Sequence, residues 1–228
     1  MTRKRSSAEK LEKAMEVLND TYGVPEPAGR DDPVHSIILT ILSQNTNDRN
    51  RDVAAKRLFE RFDSPEDILE ADIKDIEEAV RPAGLGPTKA RRIKSLLERI
   101  REEKGEITLD HVNKMGNEEA KKYLKSFDGI GPKTAAVTLL FVFDKPVMPV
   151  DTHVHRVSKR IGLIDRNTNR KKAHDILENM VPDDRIYEFH INLIRHGRKT
   201  CTARNPDCEN CPLRDICDYY MRENDGEV

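Results

Sequence analysis

Seventeen residues near the end of this 228-residue chain, CTARNPDCENCPLRDIC, hold every cysteine it has. Cys201, Cys208, Cys211 and Cys217 stand in the pattern Cys-x6-Cys-x2-Cys-x5-Cys. A structural zinc site usually joins two Cys-x2-Cys-type knuckles, and only one is present here. Four thiolates from one continuous loop suit a cuboidal iron–sulfur cluster, which takes one ligand at each corner iron. Spacing therefore favours iron–sulfur over zinc, with free thiols third. No acid lies between Glu188 and Asp207, whereas Arg195, Arg198, Lys199 and Arg204 do. These four are the expected basic surround of an anionic site.

A second group of residues that could do chemistry is SFDGIGPKTAAV. Gly129 and Gly131 allow a hairpin whose backbone N–H groups converge at the start of the next helix, a phosphate site that needs no basic side chain. Lys133 follows directly, and eighteen residues later comes Asp151 in VDTHV. Each has a plainer reading. Lys133 can be a solvated first-turn lysine, and Asp151 a simple helix N-cap.

Composition limits what these groups can serve. Hydrophobic and charged residues each make up 36%, and 40 basic residues face 41 acidic ones for a net charge of −1. A uniformly basic nucleic-acid binder is excluded, so any DNA-binding face must be built locally from a few placed groups. No run approaches the ~18 apolar residues of a membrane span. The start MTRKRSSAEK is basic but lacks a signal peptide's apolar segment. A cytoplasmic location with reduced thiols is expected, and no membrane partner.

The elements that must position these groups read as helices, because apolar residues recur at three and four. Ser64 and Pro65 predict a helix start that runs through DILEADIKDIEEAV. Thr88 is the expected cap of a long charged helix with Ile93, Leu96, Leu97 and Ile100 as its apolar stripe. Asn117 is the expected cap of EEAKKYLKSF; Pro132 opens KTAAVTLLFVF, and Asp151 caps THVHRVSKRIG. Arg185 to Lys199 is again periodic. KPVMPV, with two prolines, reads as an extended linker. AGLGPTKARRI and DGIGPKTAAVT echo one another 45 residues apart and predict two similar helix entrances.

In this order the parts resemble endonuclease III and its relatives, the helix-hairpin-helix DNA glycosylases. The resemblance runs from about Pro33 to Cys217 and rests on ILTILSQNT, GIGPKTA, PVDTHVHRV and the cysteine loop. It implies an all-α fold of two helical lobes with a DNA-binding cleft between them, a helix-hairpin-helix motif and a C-terminal [4Fe-4S] loop. One lobe is expected over residues 31–146, the other over 1–30 plus 147–228. It implies that Lys133 and Asp151 are catalytic, that Gly129 and Gly131 hold DNA phosphate, and that Cys201, Cys208, Cys211 and Cys217 bind the cluster. Leu85 matches a family loop that wedges an apolar side chain into the base stack; a buried leucine under a turn is the alternative. His153 and His155 are candidates for phosphate or metal, although two histidines on one helix more often pack or meet solvent.

The activity implied is base excision with strand nicking. A damaged base must leave the stack to be reached. Asp151 would stabilise the sugar cation and help deprotonate the nucleophile, and neutral Lys133 would attack C1′. In the family, members with lysine at this position also nick DNA. The sequence departs from the pattern at Ser43-Gln44-Asn45-Thr46, where Asn45 and not Gln44 falls on the gap-filling glutamine. The Gln-Asn pairing looks more like the plant glycosylases that excise 5-methylcytosine. Asp128 replaces the usual proline. These changes leave the excised base open: oxidised pyrimidines first, then uracil or thymine in mismatches, and methylated cytosine. The expected partner is double-stranded DNA with a damaged or mismatched base, bound by a monomer. The rivals are a mismatch-specific or adenine glycosylase that does not nick, a non-enzymatic DNA-binding module, and a zinc-loop regulator. Lys133 argues against the first, and the end at Val228 is read as leaving no room for an extra recognition domain. The pairing of Lys133 with Asp151 argues against the second.

Overall fold

The computed structural model describes residues 6–27 and 32–224. Among them all regular structure is helical, as the apolar spacing requires. In chain order the helices are α1 (Ser7–Tyr22), α2 (Pro33–Ser43), α3 (Asp48–Arg61), α4 (Pro65–Glu70), α5 (Ile73–Val80) and α6 (Gly86–Lys104). Then come α7 (Asn117–Lys125), α8 (Pro132–Phe141), α9 (Thr152–Ile161), α10 (Arg170–Met180), α11 (Ile186–Lys199) and α12 (Asp218–Asn224). No helix among the described residues is long and apolar enough to cross a membrane. The chain divides into two compact units, residues 29–145 and residues 1–28 with 146–228. The basic start and the expected boundary at residues 30 and 31 lie outside the described residues.

In the unit of residues 29–145, α2 packs on α3, α6 and α8, and α6 lies against α4 and α5. Ile37, Ile41, Leu58, Ile76, Ile93 and Leu97 are all but inaccessible to solvent. Each such side chain contributes about 1.5–3 kcal/mol by leaving water. Helix α8 buries Ala135, Ala136, Thr138, Leu139 and Leu140, so its N-terminus is set by packing on several sides. In the other unit α11 is central and packs on α1 and α9, with α12 on α9. Gly197 permits the α9–α11 approach, because a Cβ there would stand 2.8 Å from His153 Cβ.

Three helix starts differ from expectation. The run after Ser64 is two helices, because Ala71 is extended and Asp72 caps α5 by accepting the Lys74 N–H at 2.8 Å. A short polar side chain offered the backbone an alternative bond and ended the first helix. Thr88 caps nothing; α6 begins two residues earlier, with Leu85 as its N-cap in the left-handed region at φ 53°. Asn117 is the first helical residue of α7, and extended Gly116 is the N-cap.

Candidate functional site

The hairpin is built from the backbone up. Residues 127–130 form a turn in which the Ile130 N–H donates to the Phe127 carbonyl at 3.1 Å. Gly129, third in that turn, has φ +80°, a conformation that a β-carbon disfavours. Gly131 is different. Its φ −86° and ψ 177° suit any residue, but a Cβ there would meet nothing within 4 Å. The space in front of Gly131 is open, so the backbone can be approached closely. No side chain caps α8, and its first-turn N–H groups remain available to an anion. Pro132 supplies the first helical residue, and Lys133, exposed, is the second.

Two arginines on α6, seven residues apart, brace this hairpin. Arg99 donates to the Ser126 carbonyl at 2.9 Å and lies over the Phe127 ring at 4.5 Å. Its bond to Glu103 at 2.7 Å holds that carboxyl below the usual range. Arg92 donates through Nε to Asp128 at 3.2 Å and through Nη1 to Gln44 Oε1 at 3.1 Å. Gln44 completes the circuit by donating Nε2–H to the Gly129 carbonyl at 2.9 Å. Neither arginine stood out in the sequence, where α6 read as a long charged helix with one apolar stripe. Their seven-residue spacing beside the apolar stripe was the available signal.

Asn45 and Leu85 stand beyond the ends of α2 and the 3₁₀ turn at Arg81–Ala83. Both have left-handed backbones, at φ 52° and 53°, strained for residues with side chains by about 1–3 kcal/mol. Asn45 is exposed. Leu85 is 56% exposed, which rules out a leucine buried under its turn. The two echoing strings are not equivalent: Leu85 faces solvent, whereas Ile130, its counterpart, is 5% exposed. Lys89, wholly buried, holds the first turn in place by donating Nζ–H to the Leu42 and Ala83 carbonyls, each at 2.8 Å. Burial pushes its amine below the ordinary lysine range.

In the other unit, Asp151 caps α9, with Oδ1 accepting the Val154 N–H at 2.7 Å. The cap fixes the carboxylate's position and leaves Oδ2 outside it. His155 is structural, its Nε2 bonded to the Thr168 carbonyl at 2.8 Å. His153 is half-buried, and its Nδ1 lies 3.0 Å from Arg156 Nη2, which also donates to the Gly197 carbonyl.

The four cysteines line one cavity together with Arg160, His196, Tyr219 and Tyr220. No disulfide joins any of the four. Burial pushes Cys211 up to about 12 and raises Cys217. Among the described residues no three His, Cys, Asp or Glu side chains converge on one metal ion. The cavity lined by the cysteines offers four sulfur donors from one loop, the donor set that a four-iron cluster takes. A cation against the sulfurs comes from α9: Arg160 donates to Cys201 Sγ at 3.3 Å and to the Thr202 carbonyl at 2.7 Å. His196 Nε2 lies 3.7 Å from Cys211 Sγ, and burial lowers this imidazole to about 4. Arg195 instead binds the Tyr22 carbonyl, and Lys199 sits over the Tyr22 ring.

Comparison with known proteins agrees with this geometry. Residues 38–183 match the HhH-GPD superfamily of base excision DNA repair proteins, and residues 201–217 match the iron–sulfur binding domain of endonuclease III. The chain is 33% identical to the endonuclease III of Thermotoga maritima, covering 86% of this chain and 88% of that one. It is 37% identical to that of Sulfolobus acidocaldarius, covering 82% of each. Its fold matches endonuclease III solved in a non-covalent complex with DNA, with a TM-score of 0.79 at 26% identity over 97% of this chain and all of that one. The chain belongs to the HhH-GPD superfamily of base excision DNA repair proteins, as a DNA glycosylase/lyase with a [4Fe-4S] loop.

Proposed function

We propose that this enzyme binds duplex DNA as a monomer in the cytoplasm, removes a damaged pyrimidine, and nicks the strand using Lys133 and Asp151. The observation that carries this reading is the placement of Lys133. Its amine is exposed one residue past the proline that opens α8, beside a hairpin with free N–H groups and open space before Gly131. The hairpin holds the backbone phosphate beside the lesion, so the lysine meets the sugar of an extruded nucleotide. Asp151 Oδ2 acts on that same sugar. It offsets the positive charge at C1′ as the glycosidic bond breaks, and receives the proton that Lys133 sheds.

The amine nitrogen forms the bond to C1′ and the base leaves with the bonding electrons and a proton. The nitrogen lone pair then breaks the C1′–O4′ bond, O4′ takes up a proton, and the ring-opened Schiff base makes the C2′ hydrogen acidic. Its loss as a proton expels the 3′ phosphate, and the strand is cut. Leu85 and Asn45 enter the stack on either side of the vacated position, with Gln44 behind Asn45 and His153 toward a flanking phosphate. Cys201, Cys208, Cys211 and Cys217 hold the cluster, which when bound crosslinks the loop through four iron–sulfur bonds.

Oxidised pyrimidines are the proposed substrates. Asn45 in the place of the family's glutamine leaves mismatched uracil or thymine, and 5-methylcytosine, as the second reading. The test is a panel of duplexes, each with one defined lesion, incubated with the iron-loaded protein. Excision and nicking at oxidised pyrimidines above all others is expected. Base release without nicking on every duplex would overturn the bifunctional reading.

A further inference from the structure

The net charge of this chain is −1, and the hairpin carries an acid of its own at Asp128, whose carboxylate would repel the phosphate it is proposed to receive. Asp128 is also well exposed, with 76% of its side chain accessible. Some group must offset it. Arg92 is the cation that the fold brings there, and it comes from another helix, 36 residues away in sequence.

Three contacts fix its place. Nε meets Asp128 Oδ2 at 3.2 Å, Nη1 meets Gln44 Oε1 at 3.1 Å, and the guanidinium lies directly under Gly129. A Cβ on Gly129 would come within 2.6 Å of Arg92 Nε and 2.8 Å of Cζ. Gly129 is therefore required twice: for its positive φ, and because a side chain would displace the arginine. A guanidinium has five N–H donors, and two are used here. The others remain for a phosphate oxygen, to which arginine can donate in pairs.

We propose that Arg92 is the phosphate-contacting cation of the hairpin: it neutralises Asp128 in the free protein and donates to the DNA backbone in the complex, oriented throughout by Gln44. This rests on the reading of Gly129 and Gly131 as the phosphate site. A basic side chain thus serves a motif that otherwise works through backbone N–H groups alone.

The test measures binding of the iron-loaded protein to a duplex carrying a stable tetrahydrofuran abasic analogue, over a series of salt concentrations. Arg92→Gln is expected to bind about tenfold more weakly at low salt, in keeping with the loss of a charge-assisted bond. The slope of log affinity against log salt should become shallower by about 0.9, the value of one lost phosphate contact. Arg92→Lys should retain the wild-type slope. Asp128→Asn should bind about two- to fivefold more tightly, as removal of an exposed opposing charge predicts. An Arg92→Gln slope equal to wild type would overturn the proposal and leave Arg92 a brace, whatever the affinity. Weaker binding by Asp128→Asn would do the same. Failure of the underlying reading looks different: the wild type itself would show no salt-dependent binding to this duplex, which would take the hairpin assignment and this proposal with it.

Discussion

Gln44 Nε2 donates to the Gly129 carbonyl at 2.9 Å, joining residues 85 positions apart. The end of α2 that presents Asn45 and the hairpin that precedes Lys133 are thereby one body. Gln44→Ala removes both ends of this amide bridge. It is expected to lower stability by about 1 kcal/mol, in line with a hydrogen bond of this kind, and to weaken binding to abasic-site duplex severalfold. Thermal unfolding together with a binding titration checks both effects; unchanged binding would show that the bridge does not set the hairpin.

Lys89 is the costlier residue to remove. It is 1% exposed, and its ammonium satisfies the Leu42 and Ala83 carbonyls at the ends of two elements. Lys89→Met fits the apolar stem but leaves both acceptors unpaired, for a loss of about 2–4 kcal/mol. Because Ala83 immediately precedes the Gly84–Leu85 turn, activity should fall as well as melting temperature. A melting temperature equal to wild type would contradict the role given to this side chain.

His111 sets a pH dependence. Its ring nitrogens are buried without hydrogen-bond partners, and burial first, then Lys104, holds its pKa below the ordinary 6.5. The folded state therefore binds fewer protons than the unfolded state between that lowered value and 6.5. Stability is fully present above pH 6.5 and falls as the pH drops through 6.5 toward the folded-state value. His111→Phe should flatten this part of the profile. Equal losses in wild type and variant between pH 7 and pH 5 would assign the acid sensitivity elsewhere.

Arg160 ties three points of the cysteine loop: Cys201 Sγ and the carbonyls of Thr202 and Ala203. Arg160→Gln is expected to leave the helical units folded while the visible absorbance of the cluster decays several times faster in the presence of an iron chelator. Iron content per chain and far-ultraviolet dichroism measured on the same sample separate loss of the cluster from loss of fold. An unaltered decay rate would contradict the contribution assigned to this guanidinium.

The helices were legible because their signals are local: periodic apolar positions, a proline at the first helical position of α4 and α8, and an aspartate capping α9. Errors fell where two local rules compete, as at Ala71 and Asp72, where a capping side chain overrode a continuous apolar period. They fell again at Thr88, because α6 starts earlier from a left-handed Leu85, after a turn whose Ala83 carbonyl the buried Lys89 holds. The cysteine loop was legible from spacing because all its ligands lie in one segment. The charges that serve it were not. Arg195 turns to the Tyr22 carbonyl and Lys199 to the Tyr22 ring, and Arg160 reaches the loop from a helix some forty residues earlier. Arg92 was hidden for the same reason, since its partners lie 36 and 48 positions away. Side chains that act across the fold leave no periodic trace.

The account stands or falls on the amine of Lys133. Borohydride reduction in the presence of abasic-site duplex converts a Schiff base into a permanent protein–DNA crosslink. Wild-type protein should crosslink, Lys133→Gln should not, and Asp151→Asn should do so at least tenfold more slowly, each with its iron content intact. A Lys133→Gln protein that traps DNA as the wild type does would contradict the assignment of the nucleophile.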